Sequence, residues 1–311
     1  MAKPSNQAGP VIVLAEELEP EPATWLAERT DLRRVHFSEP DFDRHLADAE
    51  GLIIRSYTRV DRALLAKAPK LRAVARPGVG LDNVDQPACR ERGVAVFTTP
   101  GANAQAVVEL VFAFAFDGLR PRFFLEQPMT LPDWKKYREE VTADRELGSM
   151  TVGVLGAGHV GSRVCRAALG FGSSVVYCDL DPSIMIEGAA RVDRNTLLAT
   201  ADLVSVHIDE RTENRHHIDA DAFGRMKSDV VFINTARGLV VDAHACAEFF
   251  INHPAACAML DVHDPEPFDA TYPLLDIDNV HLSPHIGGAT KPAKLAMSWV
   301  VKDLLSYLAS P

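Results

Sequence analysis

The chain has 311 residues, enough for about two domains, and its 47% apolar and 24% charged residues are the balance of a folded globular protein, not a disordered one. It carries 32 Lys and Arg against 43 Asp and Glu, a net charge of −11 that argues against nucleic-acid or membrane partners but permits a local basic pocket for a small anion. The five cysteines (Cys89, Cys165, Cys178, Cys246, Cys257) are scattered and form no CxxC pair, so neither a disulfide framework nor a metal site is expected, and a reducing compartment fits best. Residues 1–10 are polar and lack the apolar core of a signal peptide. The longest apolar run, 110–116, is far short of the ~20 residues of a membrane span. The expectation is a soluble, cytoplasmic protein.

In chain order, 11–14 reads as a β-branched strand and 25–29 as part of a helix. A short apolar run follows at 52–54, then a helix at 63–68 that stops at Pro69. Val74 and Ala75 end a strand before Pro77-Gly78, and 94–98 is a strand entering Pro100-Gly101. This alternation predicts βαβ units and a parallel sheet. Residues 103–119 read as a buried helix. Pro121, Pro128 and Pro132 then break the pattern, and 133–146 is highly charged, so 119–149 is expected to be an exposed connector or arm. A second series follows, with strand-like runs at 151–155, 174–178, 203–207, 230–234, 258–261 and 280–282. Five or six strands with helices between them describe a doubly wound sheet. The apolar helix at 295–308 suits either half. The expected division is 1–98 with 290–311 as one domain and 99–289 as the other.

Residues 151–161 read Thr-Val-Gly-Val-Leu-Gly-Ala-Gly-His-Val-Gly, a strand running into Gly156, Gly158 and Gly161 and then into a helix. In that context the GxGxxG spacing has a mechanism: Gly156 for the tight turn, Gly158 for close backbone approach to a pyrophosphate, and Gly161 for strand–helix packing. The N-terminus of the helix offers unpaired N–H groups to phosphate. Asp179 ends the next strand, near the spacing expected of the acid that bonds the ribose hydroxyls. No Arg or Lys follows at 180–183, and Asp179 repels a 2′-phosphate, so NAD is favoured over NADP. The alternative is a tight turn without ligand, with Asp179 as a helix cap.

Three further segments place polar residues just after strands, where open α/β sheets bind ligands. Arg237, in Ile-Asn-Thr-Ala-Arg-Gly (233–238), suits a substrate carboxylate. Glu266 lies between Pro265 and Pro267, which stiffen its backbone. His285 follows a proline and precedes Gly287-Gly288; beside a carboxylate it suits proton transfer to a carbonyl. Taken singly, each reads equally as a surface or structural residue, and with eleven histidines composition does not select His285.

In order along the chain stand Leu-Ile-Ile-Arg-Ser (52–56), Arg-Pro-Gly-Val-Gly-Leu-Asp-Asn-Val-Asp (76–85), the glycine loop with Asp179, Asn-Thr-Ala-Arg-Gly-Leu-Val-Val-Asp (234–242), Asp-Val-His-Asp-Pro-Glu-Pro (261–267) and Pro-His-Ile-Gly-Gly-Ala-Thr-Lys (284–291). Together they resemble the D-isomer-specific 2-hydroxyacid dehydrogenase family, most nearly its D-3-phosphoglycerate dehydrogenase branch, over about 52–291. The resemblance implies two Rossmann-like α/β domains: a doubly wound parallel sheet for NAD and a smaller flavodoxin-like substrate domain. It implies a catalytic set of Arg237, Glu266 and His285. Arg237 binds the carboxylate and polarises the carbonyl, His285 is the acid/base, and Glu266 orients His285 and favours its charged form. It implies cofactor contacts at Gly156, Gly158, His159, Val160, Gly161, Asp179, His207, Ile208, Thr235, Ala236, Gly287 and Gly288, with the carboxamide near Asp261.

Substrate contacts are implied at Arg55, Ser56, Arg76, Asn103 and the Gly78-Val79-Gly80 loop, whose successive N–H groups would form an anion nest. Arg55 and Arg76 align with arginines aimed at a 3-phosphate, so the expected substrate pair is 3-phosphoglycerate and 3-phosphohydroxypyruvate, acting in serine synthesis. Another 2-hydroxy acid (sulfolactate, phosphoerythronate, hydroxypyruvate or glyoxylate) and an NAD-sensing, corepressor-like binding protein remain as alternatives. A homodimer is implied. Serine feedback of the kind seen in longer relatives is not expected. The resemblance departs at 119–149 and at His207-Ile208-Asp209-Glu210, where the family often has His-x-Pro-Leu; two carboxylates there are expected to weaken NAD binding or reshape the loop.

Overall fold

In a computed structural model the described residues are 9–120, 122 and 124–310. The polar start at 1–8, the helix-breaking Pro121 and the terminal Pro311 lie outside them. The chain forms two compact units, one running to Asn103 and resuming at Ala289, the other spanning Ala104–Gly288.

The first unit holds five strands, β1 (Val11–Leu14), β2 (Asp31–Arg34), β3 (Gly51–Ile53), β4 (Ala73–Ala75) and β5 (Ala95–Phe97), all paired in parallel. Their order, β2-β1-β3-β4-β5, is the flavodoxin-like winding. Alternation along the strands fills two cores. Val13, Leu52, Ile54 and Val74 face one layer with Phe42, Leu46 and Leu65. Ile12, Leu14, Ile53, Ala73 and Ala75 face the other, with Val301, Leu304 and Leu308. The apolar 295–308 segment therefore belongs to this unit, as two helices, Lys291–Ser298 and Val301–Leu308. The sequence gives no sign of β2: Asp-Leu-Arg-Arg is a charged edge strand with only one β-branched or apolar position, and it forms by pairing with β1.

The second unit holds β6 (Thr151–Leu155), β7 (Ser174–Cys178), β8 (Ala190–Arg191), β9 (Leu203–Val206), β10 (Val231–Asn234), β11 (Cys257–Leu260) and β12 (Val280–Leu282). The sheet is parallel throughout, in the order β12-β11-β10-β9-β6-β7-β8. Counted from β6 this is the 3-2-1-4-5-6 Rossmann winding with a seventh strand added. Val231 and Ile233 face a core with the helices Ala104–Leu119 and Gly161–Gly170; Phe232 faces the opposite core with Phe223 and Phe250. Each such buried aliphatic or aromatic side chain contributes about 1.5–3 kcal/mol. Among its described residues the 119–149 segment carries an α-helix, Leu131–Glu140, none of whose residues is buried, and a 3-10 turn at Leu147–Ser149.

Candidate active site

The expected site positions of the second unit fall in the loops after β6, β7, β9, β10, β11 and β12, at the carboxyl edge of one parallel sheet. The winding reverses between β6 and β9, and the glycine loop lies at that switch point. Gly156 has φ +89, and a Cβ there would stand 2.6 Å from the His207 carbonyl oxygen. A Cβ on Gly161 would fall 1.9 Å from the Gly156 oxygen, so the helix starts in backbone contact with the turn. A Cβ on Gly158 would meet nothing within 4 Å. The backbone at Gly158 is thus open to a ligand while its two neighbours are closed by packing, which fits a bound pyrophosphate.

Asp179 ties this loop down. Its Oδ2 accepts the Ala157 N–H (2.6 Å) and its Oδ1 the Asp181 N–H (2.8 Å). The reading from sequence considered only 180–183 for basic neighbours. The fold adds Arg191 from β8, whose guanidinium donates to the main-chain oxygens of Asp179 and Asp181. After β9, the His207 ring meets Ser205 Oγ at 2.8 Å, and burial pushes its pKa down to about 3, so the ring is neutral. His207 and Ile208 both pack on Gly156. Among the described residues Thr235 Oγ1 is buried without a hydrogen-bond partner, an orphan that a bound ligand would satisfy.

Arg237 follows β10 on a turn clamped by buried Asn234, which donates to the Arg237 oxygen (3.0 Å) and accepts from the Ala236 N–H (3.0 Å). A Cβ on Gly238 would overlap the backbone of His263, at 1.9 Å, so only glycine lets this turn lie against the 263–264 segment. That contact brings the Arg237 turn beside the loop that carries Glu266. His285 Nδ1 and Glu266 Oε2 are 2.7 Å apart, and Glu266 Oε1 accepts the His263 N–H at 2.7 Å. Burial pushes the Glu266 carboxyl up, but the bonds from His285 and His263 outweigh it and hold it below its usual range.

His285 itself sits at φ +53, in the left-handed region, on a loop pinned by Asp261. Asp261 is 1% exposed and accepts from Ile286 N–H (2.8 Å), Gly287 N–H (2.7 Å) and Ser283 Oγ. The sequence expectation placed Asp261 at the carboxamide; in the fold its carboxylate anchors the His285 loop. A second anchor was not foreseen. His263 is buried, with Nε2 2.9 Å from the Ser283 oxygen, Nδ1 3.4 Å from the Tyr272 hydroxyl, and its ring edge-on to Phe268.

In the first unit, Arg55 and Ser56 lie on a loop after β3. The Glu16 carboxylate accepts all four N–H groups of 55–58, from Arg55 (2.8 Å), Ser56 (3.1 Å), Tyr57 (3.2 Å) and Thr58 (2.8 Å). Asn83 Nδ2 donates to the Arg55 and Thr58 oxygens (2.9 and 2.6 Å). Both were overlooked as site residues, although Asn83 stands inside a quoted motif and Glu16 follows a strand. Gly78 corrects an expectation. Its N–H donates to Thr99 Oγ1 (3.0 Å), so among the described residues of the loop the N–H groups of Val79 and Gly80 remain for an anion. Gly78 has φ +144, and the Arg76 guanidinium folds over it, 2.5 Å from where a Cβ would be. Asn103 lies in the turn before the helix Ala104–Leu119.

Residues 112–287 match the model of the D-isomer specific 2-hydroxyacid dehydrogenase, NAD binding domain. The chain is 35% identical over 291 residues to D-3-phosphoglycerate dehydrogenase of Mycobacterium tuberculosis, covering 92% of this chain and 54% of that protein. It is 38% identical over 264 residues to (S)-sulfolactate dehydrogenase of Chromohalobacter salexigens, covering 83% and 84%. A glyoxylate reductase structure from Paecilomyes thermophila superposes with a TM-score of 0.83 at 25% identity, over 97% and 96% of the two chains. The chain belongs to the D-isomer-specific 2-hydroxyacid dehydrogenase family, and the cofactor of its nucleotide domain is NAD. It spans about half the length of the mycobacterial relatives it matches. Among the described residues no helix is long and apolar enough to cross a membrane.

Proposed function

We propose that this chain is an NAD-dependent oxidoreductase that interconverts a D-2-hydroxy acid and its 2-oxo acid, with 3-phosphoglycerate and 3-phosphohydroxypyruvate as the substrate pair. The observation that carries the reaction class is the His285–Glu266 pair at 2.7 Å, on the same sheet edge as Arg237 and the open glycine loop. NAD, when bound, supplies the hydride acceptor. The turn at 156–161 and Thr235 are placed to hold it, with Ala236, Gly287 and Gly288 as further contacts. Asp179 fixes the turn and disfavours a 2′-phosphate. Arg237 holds the substrate carboxylate and draws electron density from the carbonyl. His285 takes the hydroxyl proton at its Nε2 during oxidation and returns it during reduction, because Nδ1 is committed to Glu266. Glu266, gripped by the His263 N–H on its other oxygen, keeps the ring in one orientation.

The unit that runs to Asn103 and resumes at Ala289, close to the expected 1–98 and 290–311, serves as the substrate domain, and Ala104–Gly288, close to the expected 99–289, as the NAD domain. Arg55 supports a second anionic group on the substrate. Its guanidinium makes no hydrogen bond or ion pair among the described residues, on a loop whose backbone donors are already taken by Glu16. With those N–H groups occupied, side chains must do the binding, and guanidinium suits tetrahedral oxyanions. The sulfolactate relative favours a second reading, a sulfonate in place of the phosphate. We also propose a homodimer joined through the arm: Leu131, Trp134 and Tyr137 are 67, 45 and 37% exposed on one helix. Five free thiols fit a reducing, cytoplasmic setting.

The test follows nicotinamide absorbance with 3-phosphoglycerate, sulfolactate, D-lactate and D-glycerate, and the 2-oxo acids in reverse. Turnover confined to the phosphorylated pair, lost in Arg55→Ala, supports the reading. Turnover of unphosphorylated acids alone refutes the phosphate assignment. NAD binding without turnover of any acid refutes the enzyme and favours a corepressor-like sensor.

A further inference from the structure

The two carboxylates at 209 and 210, where the chain departs from the family pattern, take different partners. Asp209 is neutralised within its own turn: Arg211 donates to it from Nε (2.7 Å) and Nη2 (2.5 Å), and Asn214 Nδ2 adds a bond at 2.8 Å. The Arg211 bonds lead in holding its carboxyl below the usual range. Glu210 turns the other way. Its Oε2 lies 3.6 Å from Arg237 Nε, with the two side chains only 28% and 21% exposed. Arg237 Nη1 donates to the Ala236 oxygen at 2.7 Å. Asp209 is thus spent locally, and Glu210 bears on the arginine.

We infer that Glu210 is a specificity-determining residue that weakens the hold of Arg237 on a substrate carboxylate, so that a monoanionic 2-oxo acid binds loosely and a second anionic group on the substrate supplies the missing affinity. The inference rests on the reading that Arg237 receives the carboxylate. The reason is electrostatic. Glu210 offsets part of the Arg237 charge, so a carboxylate approaching Arg237 meets a repulsion as well as an attraction. Partial burial reduces screening by solvent and salt, so the repulsion persists. The substrate and Glu210 also compete for the donors of a single guanidinium, whose planar fork serves one carboxylate best when both bonds are parallel.

The test compares wild type with Glu210→Gln and Glu210→Leu, both neutral, and Glu210→Asp, which keeps the charge. KM for glyoxylate and hydroxypyruvate is expected to fall roughly 5- to 10-fold in the two neutral variants, the size of one screened charge. It stays near wild type in Glu210→Asp, and kcat changes less than KM. Oxamate, an unreactive 2-oxo acid analogue, should bind the NADH complex more tightly by a similar factor, read by nicotinamide fluorescence without turnover. An unchanged or raised KM and oxamate affinity unchanged or weakened overturn the inference and leave Glu210 as a prop for Arg237. Failure of the underlying reading shows separately, as oxamate binding that does not weaken in Arg237→Gln.

Discussion

Glu16→Gln is the sharpest probe of how the 55–58 loop is held. In the wild type, Oε1 accepts from Arg55 and Thr58 and Oε2 from Ser56 and Tyr57. A glutamine has one acceptor oxygen. Its better orientation keeps the two 2.8 Å bonds and points the amide NH2 at the N–H groups of Ser56 and Tyr57. Those two residues are exposed, so water recovers part of the loss, about 1 kcal/mol net for each bond. The two bonds that survive pass from a charged to a neutral acceptor, costing some 0.5 kcal/mol apiece. The total is about 3 kcal/mol, or roughly 10 °C in melting temperature for the unit that contains the loop. Burial pushes the Glu16 carboxyl up, but the bonds from Arg55, Thr58 and Tyr57 win and hold it below its usual range. The native carboxylate therefore contributes stability that is complete above the unfolded value near 4.5 and is lost as pH falls through the lower native value. Denaturant unfolding of both proteins from neutral pH downward reads the gap, which should be full at neutral pH and close on acidification. A gap under ~1 kcal/mol at neutral pH, or one that does not change with pH, refutes this account of the loop. If Arg55 holds the second anion, the same variant raises KM for 3-phosphohydroxypyruvate more than for glyoxylate.

Three further outcomes are expected. Glu266→Gln leaves NADH affinity near wild type and lowers kcat on the order of 10²-fold, because His285 loses a charged partner at 2.7 Å but keeps its loop; stopped-flow single turnovers check that the chemical step is the one slowed. Gly161→Ala places a methyl 1.9 Å from the Gly156 oxygen, so calorimetric titration should show NAD binding lost or the domain unfolded, and binding within a factor of two of wild type would mean the turn is not held as described. Trp134→Asp, on the exposed arm helix, should convert a dimer to a monomer in light scattering while leaving the melting transition of the isolated chain within about 1 °C, since a surface substitution costs little.

The division between what could be read from the sequence and what could not follows the range of the interactions. The glycine loop was legible because each glycine answers a local demand: a positive φ at 156, an open approach at 158, a helix start at 161. β6, β9, β10 and β11 were legible because strands buried on both faces are largely apolar, and β7 because Val175-Val176-Tyr177 is a β-branched and aromatic run. β2 and β8 were not, since these edge strands owe their existence to a neighbour 20 or 14 residues away in sequence rather than to their own side chains. Arg237, Glu266 and His285 stand in motifs, yet what positions them is not written beside them. Asn234 and Gly238 set the arginine, His263 grips Glu266 through its backbone, and Asp261 holds the His285 loop across more than 20 residues of chain. Glu16 is the extreme case. An acid following a β-strand reads as a solvated end of the strand, and only the parallel pairing of β1 with β3 sets it beside the four N–H groups it accepts. Glu210 shows the same limit from the other side: its departure from the family pattern was visible, but the direction of its charge depended on whether Arg211 would take Asp209 or Glu210. Arg211 took Asp209, two residues away, and so left Glu210 to the arginine on the next strand's loop. A local ion pair of modest strength thereby decides which carboxylate faces Arg237, which is why the chemistry at 207–210 is a property of the folded turn and not of either residue alone.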